Sequence, residues 1–173
     1  MRHSCQKTWE LNHCREWPAG KTESEIKLLI QENSKPQDLI EYTDGSVTKD
    51  QSGWGFSVKQ GATTIHEDSA AYTVSTSSLT MEVGAVTLAL RWIASKGDSQ
   101  TTHAIILTDS MSLLQKVKSG MGSADWNVSM VDIHLRKHLW VYCPRHAGVK
   151  GNDRSRSTGG QSNPHKRLAS RKI

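Results

Sequence analysis

Three carboxylates occupy positions in the sequence where a buried side chain is expected. Asp44 follows a hydrophobic run that begins at Leu39, Asp109 ends the segment HAIILTD, and Glu82 lies in a long helical segment. A buried charge without a partner is costly, because water no longer solvates it. Three carboxylates that converge repel one another unless a cation lies among them. Hard divalent cations with oxygen ligands, Mg²⁺ above all, match such a set.

The elements that must position these carboxylates follow from the hydrophobic pattern. Three strand-like segments come in succession, LIEYTDGS, GWGFSVKQ and ATTIHEDSAAYTV, with turn residues between the first two. The clearest helix is SSLTMEVGAVTLALRWIASKG, with Ser77 or Ser78 as its N-cap and Gly97 as its C-terminal stop. Further along, HAIILTDS and LWVYCP predict strands, whereas SMSLLQKVKSG and DWNVSMVDIHLRKH predict helices. The order βββ-α-β-α-α-β indicates an α/β fold with a mixed sheet covered by helices.

The predicted elements allow the three carboxylates to lie close together, but they also allow each residue a separate local role. Ligands of α/β sheets gather at the carboxyl ends of adjacent strands, where Asp44 and Asp109 are expected. Glu82 shares a helix face with Val86 and Ala89, so it is expected to face the sheet. Alternatively, Asp44 forms a turn, Asp109 caps the next helix and Glu82 reaches the surface. Spacing alone leaves both interpretations open.

The charge of the chain is concentrated at its end. The 173 residues carry a net charge of +5, but six of the 22 basic residues and none of the 17 acidic ones lie from residue 154 onward. Basicity is therefore weak evidence that the core binds phosphate. Residues 1–36 are predicted to be a polar leader or linker, 37–154 one domain, and 155–173 a basic tail that is disordered or frameshifted. With no apolar run of membrane-spanning length, no secretory signal and three cysteines, we expect an intracellular protein, in the cytoplasm or nucleus.

Four short blocks occur in order: YTDGS at 42–46, MEV at 81–83, LTDS at 107–110 and HAGVKGN at 146–152. Together they resemble the signature blocks of type 1 ribonuclease H, especially the domain carried by non-LTR retrotransposon reverse transcriptases. The resemblance implies a ribonuclease H-like, five-stranded mixed sheet with strand order 3-2-1-4-5, flanked by helices. It also implies cleavage of the RNA strand of an RNA–DNA hybrid, by a domain of a larger reverse transcriptase polyprotein.

The resemblance also implies roles for individual residues. Asp44 would bridge two Mg²⁺ ions, with Glu82 and Asp109 completing the ligands and Mn²⁺ as a substitute cation. Two such ions activate a water and stabilise the leaving 3′ oxygen, so no protein nucleophile is needed. His146 would assist product release or proton transfer.

Three further residues are candidate substrate contacts. Ser77 and Ser78 precede the Glu82 helix and could hold a phosphate through their hydroxyls and the helix amides. Trp126 could lie against the hybrid backbone; alternatively, it packs in the core. Hybrid shape and 2′-hydroxyls in the shallow minor groove, rather than base sequence, would provide selectivity.

The last signature position departs from the family. A fourth metal-binding aspartate is expected ten residues after the histidine, at the start of a final helix, but this position is Arg156. Residues 155–161, SRSTGGQ, can be encoded AGC AGA TCG ACT GGC GGG CAA. Without the first base, this reads Ala-Asp-Arg-Leu-Ala-Gly, the expected continuation with an aspartate at position 156. We interpret the tail as frameshifted and the final helix as missing.

The main prediction is therefore a metal-dependent hybrid ribonuclease with no membrane partner. A rival from another class is a catalytically inactive remnant that at most binds nucleic acid, and Arg156 distinguishes the two. A further alternative, integrase or resolvase chemistry on the same fold, is disfavoured by HAGVKGN after the last strand.

Overall fold

The computed structural model describes residues 5–9, 16–96, 103–118 and 137–144. Within them lie six strands and three helices. In chain order these are β1 (Cys5–Trp9), α1 (Ala19–Asn33), β2 (Leu39–Val47), β3 (Ser52–Gln60), β4 (Thr63–Tyr72), α2 (Ser78–Ser95), β5 (His103–Thr108), α3 (Met111–Lys118) and β6 (Lys137–Tyr142).

The described strands form one mixed sheet in the order β1-β6-β5-β2-β3-β4. Strands β2, β3 and β4 form an antiparallel meander, whereas β5 pairs in parallel with both β2 and β6. For the five predicted strands, which are β2 to β6, this is the order 3-2-1-4-5, and the fold prediction is confirmed. Of the segment DWNVSMVDIHLRKH, predicted as a helix, residues 125–136 lie outside the described residues, whereas Lys137 and His138 form the start of β6 instead. The tail, whose final helix is predicted to be missing, also lies outside the described residues.

The segment predicted as a leader or linker contributes two elements to this architecture. Strand β1 pairs in parallel with β6 and adds a sixth strand at that edge. Helix α1 buries Thr22, Ile26 and Leu29, which recur at helical spacing along one face. No pattern in the sequence predicted β1, because CQKTW has no apolar alternation and its pairing depends on the free edge of β6. The boundary at residue 36 stays a prediction.

Helices cover both faces of the sheet, so side chains alternate between two apolar clusters. One cluster joins α2 and α3 to Phe56, Val58, Ile106 and Trp140 of the sheet. The other joins α1 to alternate positions of the same strands, namely Ile40, Tyr42, Ile105, Leu107, Leu139 and Val141. Strand β5 contributes to both clusters, as its uninterrupted run of isoleucine and leucine predicts.

Helix α2 begins where the sequence predicts it. The side chain of Ser77 accepts a hydrogen bond from the Thr80 amide at 3.1 Å and so caps the helix. Its buried face includes Glu82, Val86 and Ala89, which confirms the face predicted from spacing. In the part of the chain that the structure describes, no helix is long and apolar enough to span a membrane.

Glu41 is an exception in this core. It is fully buried in β2, between Val58 of β3 and Ile106 of β5 in the strand register. Within the described ranges, neither of its carboxyl oxygens has a hydrogen-bond partner. Burial raises the pKa of Glu41 well above its ordinary value of 4.5. The folded protein therefore favours the protonated, neutral form of this side chain.

Replacing Glu41 with Leu is expected to raise the free energy of unfolding at neutral pH by about 1–3 kcal/mol, the cost of burying an unsatisfied polar group. The folded state retains a proton that the unfolded state releases above pH 4.5. The contribution of Glu41 to the stability of the parent is therefore greatest below that pH and is lost as the pH rises through the folded-state pKa. Urea unfolding near pH 4.5 and at neutral pH measures the free energy of unfolding of the parent and of the Glu41→Leu variant. Glu32→Leu, at an exposed glutamate, is the control. If Glu41→Leu raised the free energy of unfolding equally at both pH values, this prediction would be contradicted.

Candidate active site

The structure brings three carboxylates together at one end of the sheet. The parallel pairing of β2 with β5 ends at Thr43 and Thr108, so Asp44 and Asp109 are the first residues beyond it. Glu82 reaches the same point from the second turn of α2. One carboxylate oxygen from each of the three lies within 4.8 Å of the others. Asp44 and Glu82 are buried and Asp109 is half-buried.

Gly45 permits this arrangement, because α2 lies directly against β2 at that residue. A Cβ atom at position 45 would lie 2.6 Å from the backbone nitrogen of Glu82 and 2.9 Å from the Cβ of Met81. Only a residue without a side chain allows the helix to approach this closely. The glycine of the TDG sequence is therefore a contact residue in a strand rather than a turn former.

A serine, not Asp109, caps the helix that follows β5. The Ser110 hydroxyl accepts a hydrogen bond from the Leu113 amide at 3.2 Å, and the Thr108 hydroxyl accepts one from the Ser110 amide at 3.1 Å. These contacts satisfy amides at the start of α3. Asp109 instead belongs to the carboxylate cluster. The alternative prediction that Asp109 caps the helix is wrong, because Ser110 has that role.

Electrostatic repulsion within the cluster is strong. Burial, the charge of Asp109, a hydrogen bond that protonated Glu82 donates to Asp109, and the charge of Asp44 together raise the pKa of Glu82 from 4.5 to about 9. A hydrogen bond from the Gly45 backbone acts in the opposite direction. The metal-free site therefore favours a protonated carboxyl group at Glu82. A bound cation must displace that proton, so metal affinity is coupled to pH.

The donor set fits a hard divalent cation. All three side chains offer carboxylate oxygens, and the buried Oε2 atom of Glu82 accepts no hydrogen bond from the residues described. Oxygen ligands at close range are what Mg²⁺ and Mn²⁺ require. A cation among them would offset the repulsion that raises the pKa of Glu82.

A cleft of about 480 Å³ lies beside the carboxylates. Its lining comprises Ser78, Glu82, Asp109, Ser110, Met111, Ser112, Tyr142 and Pro144. Of the two predicted serines, Ser78 lines the cleft, whereas the Ser77 hydroxyl is engaged with Thr80 as the helix cap. His146 and Trp126, the other predicted site residues, lie outside the described ranges, as does Arg156.

Sequence reasoning missed the cleft residues contributed by α3 and β6. Ser110 follows Asp109 directly and Ser112 comes two residues later, so proximity to a strand-end carboxylate was a signal available for them. Tyr142 pairs in register with Thr108 across β5 and β6, which the sequence could not show. These residues line the cleft together with Ser78 and Glu82 of α2.

Comparison with known proteins agrees with this geometry. The family model described as RNase H matches residues 36–157, more than half of the chain. The chain belongs to the RNase H family. All three clustered carboxylates fall within the matched segment. Among curated proteins, no sequence matches this chain.

Solved structures of RNase H proteins share the fold at low sequence identity. LC11-RNase H1, solved in complex with an RNA/DNA hybrid, is 18% identical with a TM-score of 0.56, covering 70% of this chain and 96% of its own. RNase H1 from the archaeon Halobacterium salinarum NRC-1 is 15% identical with a TM-score of 0.54, covering 70% and 93%. The N-terminal RNase H domain of a Mycobacterium tuberculosis protein is 18% identical with the same TM-score and coverage. At these identities the likeness establishes the fold.

Proposed function

We propose that this RNase H domain is a metal-dependent endonuclease that cleaves the RNA strand of RNA–DNA hybrids. The observation that carries the proposal is the cluster of Asp44, Glu82 and Asp109, whose oxygens lie within 4.8 Å of one another beside an open cleft. The hybrid bound to LC11-RNase H1 supports the choice of substrate. Mg²⁺ is the proposed cation and Mn²⁺ its substitute.

The three carboxylates would be the protein ligands of the cations. Asp44 lies in the central strand β2, one residue past the end of its pairing with β5, and would hold the cations together with Glu82 and Asp109. Bound divalent cations would supply an activated water and stabilise the leaving 3′ oxygen. Ser78, at the helix N-terminus in the cleft, would donate to a backbone phosphate. His146 is proposed to assist product release or proton transfer.

A second candidate, the inactive remnant, is favoured by one sequence observation. Arg156 stands where the family expects a fourth metal-binding aspartate, and a guanidinium there would oppose cation binding. In one possible coding of residues 155–161, a one-base shift would restore an aspartate at this position, which supports a damaged end. The resemblance of the four sequence blocks supports descent from a retroelement reverse transcriptase polyprotein. The coding DNA tests that origin: reverse transcriptase sequence upstream is expected, and its absence would contradict the proposal.

Cleavage of a labelled RNA–DNA hybrid in Mg²⁺ and in Mn²⁺ separates the two candidates. We expect the Arg156→Asp chain to cleave the hybrid and to leave RNA–RNA and DNA–DNA duplexes of the same sequence intact. Cleavage by the parent as well would mean that three carboxylates suffice. A silent parent with an active Arg156→Asp variant would identify an RNase H disabled at one position. If a folded Arg156→Asp chain were silent in both metals, the remnant would be the better conclusion.

A further inference from the structure

Two buried threonines directly precede two of the carboxylates. Thr43 precedes Asp44 in β2, and Thr108 precedes Asp109 at the end of β5. The two threonines pair with each other and are the last pair of the parallel ladder. Both are fully buried, and a buried hydroxyl is costly unless it makes a hydrogen bond. Valine would fill a similar volume without that cost, so the hydroxyls point to a role at these strand ends.

Thr108 fixes the backbone on both sides of Asp109. Its hydroxyl accepts a hydrogen bond from the Ser110 amide at 3.1 Å, so this contact spans Asp109 alone. Its carbonyl accepts a hydrogen bond from the amide of Cys143, the residue after β6, at 2.8 Å. A hydroxyl that binds the amide two residues further on forms a local turn, which restricts the backbone dihedrals of the residue between them. These contacts therefore set the direction in which the Asp109 side chain leaves the strand.

The Thr43 hydroxyl connects the two strands that carry the aspartates. It donates a hydrogen bond to the Leu107 carbonyl of β5 at 3.3 Å. Asp44 and Asp109 follow immediately, where the parallel pairing of β2 with β5 has ended. Because a hydrogen bond weakens steeply outside a narrow range of distance, this contact limits how far the two strand ends can separate.

The carboxylate cluster needs contacts that oppose its own repulsion. Its three oxygens lie within 4.8 Å of one another, and the charges of Asp44 and Asp109 both act on Glu82. Like charges at this distance favour separation of the groups that carry them. The hydrogen bonds of the two threonines hold the backbone of Asp44 and Asp109 against that repulsion. Ligands ordered before the cation arrives cost less entropy when it binds.

We propose that Thr43 and Thr108 are positioning residues for the cation site, an inference that rests on the proposed function. Thr108 sets the direction of the Asp109 side chain, and Thr43 sets the separation of Asp109 from Asp44. Neither threonine touches the cation or the substrate, because both are buried and their hydroxyls bind backbone groups. They act through the backbone that carries the ligands, as the outer contacts of metal sites do.

Paired substitutions at each threonine separate positioning from packing. Valine keeps the shape of the side chain and removes the hydroxyl, whereas serine keeps the hydroxyl and removes a methyl group. We expect Thr108→Val to weaken Mn²⁺ binding about tenfold, the lower end for losing an outer contact of a metal site. A smaller loss is expected for Thr43→Val, because its hydrogen bond is longer, at 3.3 Å. Both serine variants should bind Mn²⁺ as tightly as the unsubstituted chain.

Titration calorimetry with Mn²⁺ alone measures the affinity in full-length chains, using whichever of the parent and the Arg156→Asp chain binds the cation. Thr22→Val is the control, because Thr22 is also a buried threonine but lies in α1, and the affinity should not change. Amide hydrogen exchange gives a second readout that needs no cation. The Ser110 amide should exchange faster in Thr108→Val than in Thr108→Ser, since only valine removes its hydrogen-bond acceptor.

Three outcomes would overturn the inference, and they differ from failure of the proposed function. Valine variants that bind Mn²⁺ as tightly as the unsubstituted chain would exclude a positioning role while leaving the cation site in place. An equal loss of affinity in the valine and serine variants would assign the effect to packing. Unchanged exchange of the Ser110 amide in Thr108→Val would exclude the constraint at Asp109. If neither the parent nor the Arg156→Asp chain bound Mn²⁺ or Mg²⁺, the proposed function itself would fail, and this inference with it.

Discussion

Replacing Asp44 with Asn is expected to lower hybrid cleavage roughly a thousandfold, in whichever of the parent and Arg156→Asp chains is active. Asp44 is a buried member of the cluster, and its loss removes one of the three carboxylates that would hold the cation. The charge of Asp44 also contributes to the raised pKa of Glu82. The metal-free variant should therefore be at least as stable as the parent, because repulsion among the carboxylates is reduced.

Three measurements on the same variant separate a catalytic from a structural role. Cleavage rates are determined with labelled hybrid, and divalent cation binding by titration calorimetry, while urea unfolding reports stability. Asp50→Asn is the matched control, since Asp50 is exposed on the turn after β2 and should leave all three quantities unchanged. Retention of cleavage and cation binding in Asp44→Asn would contradict the proposed site. A large loss of stability would show that Asp44 serves the fold instead.

Replacing Gly45 with Ala is expected to lower the free energy of unfolding by about 2–3 kcal/mol, a typical cost of overpacking a rigid contact. The added Cβ would lie 2.6 Å from the Glu82 backbone nitrogen, and backbone on both sides prevents an easy adjustment. Helix α2 must then move away from β2, which displaces Glu82 from Asp44. Cation binding should therefore weaken in the protein that remains folded.

Gly20→Ala provides the control for this substitution. No atom lies within 4 Å of a Cβ built at Gly20, in the first turn of α1, so alanine there should be neutral or stabilise by up to about 1 kcal/mol. Urea unfolding and calorimetric cation titration compare the two variants with the parent. A Gly45→Ala chain with the parent's stability and cation affinity would mean that α2 has room to move without consequence.

The fold was largely predictable because its signals are local. Helix α2 combines a serine cap with an apolar face at helical spacing, and β5 is an apolar run bounded by polar residues. Those patterns depend on neighbouring residues alone, so they predicted the element types, and the resemblance to ribonuclease H predicted the strand order. Strand β1 was missed because its pairing depends on β6, more than 120 residues further along the chain.

The candidate site was likewise predictable from the sequence only in part. The sequence by itself determined which residue types were available: three carboxylates near strand ends or on a helix face, and an arginine where a fourth was expected. It left open whether Asp44 formed a turn and Asp109 capped a helix, since each is a common local use of aspartate. Only the tertiary structure decided between these alternatives. The close approach of α2 at Gly45 brings Glu82 to Asp44, and the cap made by Ser110 leaves Asp109 to join them. Convergence of this kind depends on the packing of three separate elements, which no local pattern specifies.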